Sequence, residues 1–181
     1  MKPRANGWII TLVLLALTAC GGRTLVESDL RIKGAPDWVN EGTQVVDDRR
    51  GRLLHGVGMA PPMGDASLQR SVADDRARAE IARILSSRLQ VISRDYLTAS
   101  GQGEDRRLEQ SISRDIENLT RLNLAGARIV ARWKDKRSGD VYSLAELDTR
   151  AVKAMMDNVQ TMNQDFLRYL QDNAGRLFET R

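Results

Sequence analysis

The stretch from Ser67 to Leu97 constrains the fold more than any other part of this chain. Ala73, Ala77, Ile81, Leu85, Leu89, Ile92 and Tyr96 recur at steps of four, with a single step of three. That spacing puts them on one face of a long helix. Asp65 and Ser67 are both candidate N-caps, because a short polar side chain there can accept from the first free backbone N–H groups. Ala77, Ala79 and Ala82 make the first half slim, so it can lie close to a sheet. The segment just upstream, Leu53 to Met59, reads as a strand interrupted by Gly56 and Gly58. Glycine weakens a strand and marks a bulge or a close backbone approach. A helix crossing tightly over the strand accounts for both glycines. A ligand against the backbone is the competing explanation, but Gly56-Val57-Gly58 lacks the third glycine of a dinucleotide fingerprint.

The rest of the chain supplies the partners of this unit. Gly21 to Lys33 is polar and reads as a tether. Pro36 holds Ala35 extended, and Trp38 is a large apolar anchor where the chain enters the core. Gln44-Val45-Val46 is a candidate short strand, followed by a turn at Asp47 to Gly51. Ser100-Gly101-Gln102-Gly103 breaks the long helix. A second helix, Asp105 to Leu122, carries Leu108, Ile112, Ile116 and Leu119. Arg128 to Trp133 and Val141 to Leu147 are strands joined by a hairpin loop at Asp135 to Asp140. Asp148 or Thr149 caps a final helix predicted to run unbroken to about Phe178. Its stripe is Val152, Met155, Val159, Met162, Phe166 and Leu170, with Met156, Leu167 and Leu177 beside it. The order is (β)β-α-α-β-β-α. It predicts an α+β domain: a small mixed sheet of three to four strands, long helices packed on one face, and a long C-terminal helix.

The N-terminus fixes the location. Lys2 and Arg4 precede an apolar run from Trp8 to Ala19, the pattern of a secretory signal. Leu17-Thr18-Ala19-Cys20 behind it resembles a bacterial lipobox, which implies cleavage before Cys20 and acylation of that residue. The apolar run is about a dozen residues, too short for a bilayer core that needs roughly 20. The expected attachment is therefore lipid, through more than one acyl chain on Cys20, as stable anchoring requires. Gly21 and Gly22 follow Cys20, with no aspartate, which by analogy with Gram-negative lipoprotein sorting favours the outer membrane, facing the periplasm. The expected organisation is a signal peptide over 1–19, a lipidated N-terminus and tether over 20–35, an α+β domain over 36–148 and a C-terminal helix over 149–181.

Composition narrows the functional classes. A hydrophobic content of 41% with 29% charged residues is that of a globular chain. The formal charge of +4 falls to +2 once Lys2 and Arg4 leave with the signal, and the remaining cations are interleaved with acids, as in Asp74 to Glu80. Nucleic acid is therefore not expected as a partner. Cys20 is the single cysteine, so no internal disulfide and no Cys–His nucleophile pair is expected. His55 is the single histidine, too few ligands for a zinc site. No G-x-S-x-G elbow and no Walker loop occurs. These readings predict no catalytic residues, no metal and no cofactor.

Pro36-Asp37-Trp38-Val39, His55-Gly56-Val57-Gly58, the helix with Ala77, Ala79, Ala82 and Arg83, Ile129-Val130, and Val141-Tyr142-Ser143-Leu144-Ala145 together resemble the Lpp-twenty family of small bacterial envelope lipoproteins, over roughly Pro36 to Leu147. The family pattern has an aromatic where this chain has His55, which adds a polar ring facing solvent or a partner. The resemblance implies a non-enzymatic structural or assembly component at the outer membrane, acting through protein–protein contacts, with flagellum-associated lipoproteins among the family. Its expected partners are other envelope proteins or a second copy of itself. The candidate contact residues are His55, Trp38, Met156 and Leu167, the last two on the stripe of the final helix. The alternative class is a peptidoglycan-binding or cell-wall-synthase-regulating lipoprotein, for which Arg78-Ala79 only partly echoes an anchoring motif.

Overall fold

The computed structural model describes residues 30–49, 51–158 and 162–175. The chain enters through α1 (Asp37–Asn40), whose Val39 is buried. The Asn40 side chain fastens the preceding segment, accepting from Ile32 N–H at 2.8 Å and donating to the Ile32 carbonyl at 3.2 Å. Gly42–Val45 then forms a 3-10 turn where Gln44-Val45-Val46 suggested a strand. Gly42, at a φ of +77°, starts that turn, and a three-residue apolar run is too short to impose extended pairing against it.

The sheet consists of β1 (Leu53–Ala60), β2 (Arg128–Lys134) and β3 (Val141–Asp148). Its spatial order is β1-β3-β2, and both pairings are antiparallel. The sheet is therefore not mixed as the sequence suggested, because β3 inserts between the two strands that a crossover would have paired in parallel. β3 is buried along almost its whole length, whereas alternate residues of β2 are exposed. Placing the most apolar strand at the centre removes it from water on both faces. Val130 is an extra residue between Ile129, opposite Ala145, and Ala131, opposite Leu144, which makes a β-bulge in the edge strand.

The long helix is α2 (Ala66–Ala99), capped by Asp65, which accepts from Ser67 and Leu68 N–H. All seven residues of the periodic face, Ala73 to Tyr96, are buried. The register aligns Gly56 with Ala145 and Gly58 with Ser143 on the side of the sheet that meets α2. There the helix backbone itself touches the strand. A Cβ on Gly56 would lie 2.3 Å from the Ala77 carbonyl oxygen, and one on Gly58 would lie 2.3 Å from the Ala77 nitrogen. The second helix, α3 (Arg106–Gly126), is capped by Asp105 and buries Ile112, Ile116 and Leu119.

The final helix is split. α4 (Thr149–Asn158) ends well short of Phe178, and α5 (Gln164–Asp172) begins anew. Asn163 is the N-cap of α5, its side chain accepting from Asp165 and Phe166 N–H. Its own N–H donates to the buried Asp115 carboxylate at 3.1 Å, tying the break to α3. Asp148 starts α4 by accepting from Arg150 N–H at 3.0 Å. Val152, Met156, Met162, Phe166, Leu167 and Leu170 join Ile81, Leu85 and Leu89 in one core. Tyr96 closes it, its ring 5.4 Å from those of both Phe166 and Tyr169. Val159, Leu177 and Phe178 lie outside the described residues.

Candidate functional site

The polar chemistry of the domain gathers where α2 crosses the sheet. Asp74 follows Ala73 on the slim half of the helix and is only 8% exposed. Arg132 of β2 grips it with two bonds, Nε to Oδ1 at 2.8 Å and Nη2 to Oδ2 at 2.6 Å. Ser143 of β3, fully buried, donates to Oδ1 at 2.7 Å. Burial works to raise the pKa of the Asp74 carboxyl, but the bonds from Arg132 and Ser143 and the charges of Arg132 and Arg78 outweigh it and hold the group below its ordinary value. Further ties run from helix side chains to carbonyls of β1 and of the hairpin loop. Gln69 donates to Ala60 at 3.1 Å and Gly139 at 2.9 Å, and Arg76 donates to Met59 at 2.7 Å. With the Ser143 hydroxyl committed to Asp74 and closed from solvent, the cluster acts as a clamp that fixes helix, edge strand and central strand to one another.

His55 stands on the other face of the sheet. Its side chain is 3% exposed, with Nε2 3.5 Å from the Glu146 carboxylate, which also accepts from Arg128 at 3.2 Å. The expectation that His55 faces solvent or a partner is therefore corrected. Its register position opposite Glu146 and the wall formed by residues 43–48 enclose it. This wall, β1 and α2 bound a cleft of about 600 Å³, lined among others by Val45, Asp47, Leu53, His55, Ile84 and Arg88. Burial lowers the pKa of the Arg88 guanidinium. A second, smaller cleft of about 220 Å³ lies between the first turns of α2 and the helix-facing side of β2.

The remaining site residues of the sequence reading separate. Met156 is 1% exposed and Leu167 7%, both in the core and unavailable as a contact surface in this fold. Trp38 is half-buried beside the more deeply set Val39. Leu17, Thr18, Ala19 and Cys20 lie outside the described residues. Among the described residues no group of three or more His, Cys, Asp or Glu side chains is arranged to hold a metal ion, and no helix is long and apolar enough to cross a membrane. The Asp74–Arg132–Ser143 clamp was missed from sequence. Its one signal was an acidic residue set between Ala73 and Ala77, on the side of the helix that approaches the sheet. Compared with known proteins, the chain matches no protein-family model and no curated protein.

Proposed function

We propose that this chain is a non-enzymatic, lipid-anchored protein of the bacterial outer membrane that works through protein–protein contacts as a structural or assembly component. The observation that carries the reading is Cys20, the single cysteine, placed directly behind an apolar run and Leu17-Thr18-Ala19. The resemblance to Lpp-twenty lipoproteins, flagellar accessory members among them, supports the same class. The fold is compatible with this role. The segment from Cys20 to Arg31, ahead of the Ile32–Asn40 tie, spans at most about 43 Å when fully extended, which would hold the domain close to the membrane surface. The crossing of α2 over β1, fixed by backbone contact and the Asp74 clamp, makes a rigid body suited to presenting surfaces. The test is metabolic labelling with a palmitate analogue. The wild-type chain takes up label and fractionates with outer membranes, while Cys20→Ala remains unlabelled and unprocessed. Equal label in both chains would overturn the anchor. Crosslinking in cells followed by mass spectrometry of the captured proteins then tests the contact role.

A further inference from the structure

The two edges of the sheet are finished differently. Along the outer side of β1, Leu53 N–H donates to the Asp48 carbonyl at 2.9 Å and the Met59 carbonyl accepts from Arg76. Along β2 the inner side pairs with β3, and among the described residues nothing bonds to the outer backbone groups of Ala131 to Lys134. An unpaired edge of this kind is a template for another strand. The bulge at Val130, which is 47% exposed, confines regular pairing to the part beyond it.

Charge decides what could pair there. Arg128, Arg132 and Lys134 are exposed along β2, and Lys136 and Arg137 follow in the hairpin loop. Arg128 and Arg132 each have an acid partner, in Glu146 and Asp74. No ion pair engages Lys134 or Lys136 among the described residues. A second copy of β2 would set this cationic row against itself, and like charges opposite each other destabilise a strand pair. An acidic strand meets the opposite situation. The 220 Å³ cleft lies on the same side as Arg132 and Lys134. Its walls include the cations Arg70, Arg132 and Lys134 and the amide of Gln69, with Ala66 and Val141 as apolar lining. Alternate side chains of an added strand would project into that cleft, and a glutamate fits it with methylenes on the apolar lining and a carboxylate among the cations.

We propose that the outer edge of β2 takes up an acidic extended segment of another protein as a fourth strand of the sheet. The proposal deepens the protein–protein role above, resting on that reading for its biological setting, but its test in solution is independent of the anchor.

The experiment uses the full chain purified in detergent and a fluorescent peptide of alternating Glu and Val. Two controls accompany it: alternating Lys and Val, and the Glu–Val peptide with alternate amides N-methylated. Anisotropy gives affinity, and hydrogen exchange reports on the amides of residues 131–134. The Glu–Val peptide is expected to bind, to protect those amides, and to weaken at least about tenfold on N-methylation or in a chain carrying both Arg70→Glu and Lys134→Glu. Equal binding of the N-methylated peptide would show charge attraction without strand addition and overturn the proposal. So would equal binding of the Lys–Val peptide, protection elsewhere than β2, or no binding, which would make the cations and bulge a device that only blocks pairing. Dimerisation of the free chain with protection of β2 would replace the acidic partner by a second copy. Loss of palmitate labelling on wild-type Cys20 would overturn the anchor and leave this result untouched.

Discussion

Replacing Gly58 with alanine adds one methyl group in the place where the fold has least room for it. Gly58 lies in ordinary extended backbone, so a side chain meets no dihedral strain. In open space the change would stabilise the chain by about 0.4–1 kcal/mol, by restricting its unfolded state. Here the new Cβ would lie 2.3 Å from Ala77 N, 2.5 Å from Ala73 O and 2.7 Å from Arg76 C. All three are backbone atoms of α2, so no side chain can rotate away. Ordinary contact begins near 3.5 Å, so the helix must retreat by about 1 Å. That movement strains the Asp74 bonds to Arg132 and Ser143, made from the same turn. Overpacking costs about 1–3 kcal/mol, occasionally more, and a backbone-limited site belongs at the upper end. We expect about 3 kcal/mol, which for a domain of this size lowers Tm by about 6–12 °C. Urea and thermal unfolding of the full chain, followed by circular dichroism, measure it. Gly64→Ala is the control, since Gly64 has a φ of +77° and nothing within 4 Å of its Cβ position. Its cost is dihedral only, about 1–2 kcal/mol. A Gly58→Ala midpoint at or above wild type, or no lower than that of Gly64→Ala, would refute the close-approach reasoning.

The clamp and the carboxylates give further expectations. Asp74→Ala should destabilise by about 2–3 kcal/mol, since it leaves the buried Ser143 hydroxyl unpartnered and removes two charge-assisted bonds from Arg132, while Ser143→Ala should cost only about 1 kcal/mol; unfolding midpoints of the two variants decide the order. Hydrogen bonds from Arg52, the Arg150 N–H and the Arg150 side chain hold Asp148 well below its ordinary 3.8, and Asp74 is also held down. Depressed carboxyls stabilise the fold fully above their unfolded pKa and lose that contribution as pH falls through the folded values. Stability should therefore be level above about pH 5 and decline below about pH 4, and a pH series of unfolding midpoints should show a shallower decline in Asp148→Asn. The Thr120 hydroxyl oxygen is buried and has no hydrogen-bond partner among the described residues. Thr120→Val removes that cost while keeping the shape, and should raise the urea midpoint, by about 1 kcal/mol.

Elements set by local pattern were legible in the sequence. The seven-residue face of α2, the cap at Asp65, the hairpin at 135–140 and the glycine contact under α2 all depend on local pattern: periodicity, turn chemistry or one residue's conformational freedom. Features set by long-range competition were not. Gln44 to Val46 has strand-forming residues, but Gly42 and a short length left it in a 3-10 turn. The stripe from Val152 to Leu170 keeps helical spacing across Asn163, so periodicity alone joins what Asn163 and its bond to Asp115 separate. His55 reads as a polar ring on a strand, and only the register opposite Glu146 reveals that it is enclosed. Asp74 reads as one of many helix charges until Arg132, 58 positions away, closes on it.

The order of the strands connects these two groups of features to function. Had β1 and β2 paired in parallel, as the crossover through two helices allowed, β3 would have been displaced to an edge. Its run Val141 to Leu147, buried on both faces, would then have offered an apolar template for indiscriminate pairing. With β3 central, the hydrophobic effect and the avoidance of aggregation favour the same arrangement. The edge left open is β2, the strand with the most cations, and the bulge at Val130 further limits what can add to it. Val152, Met156, Met162, Phe166, Leu167 and Leu170 of the final stripe complete the core. On the reading proposed above, the open cationic edge of β2 is the contact surface, and it works by charge and backbone. That favours partners selected by electrostatic complementarity, which gains more in specificity and association rate than in raw affinity.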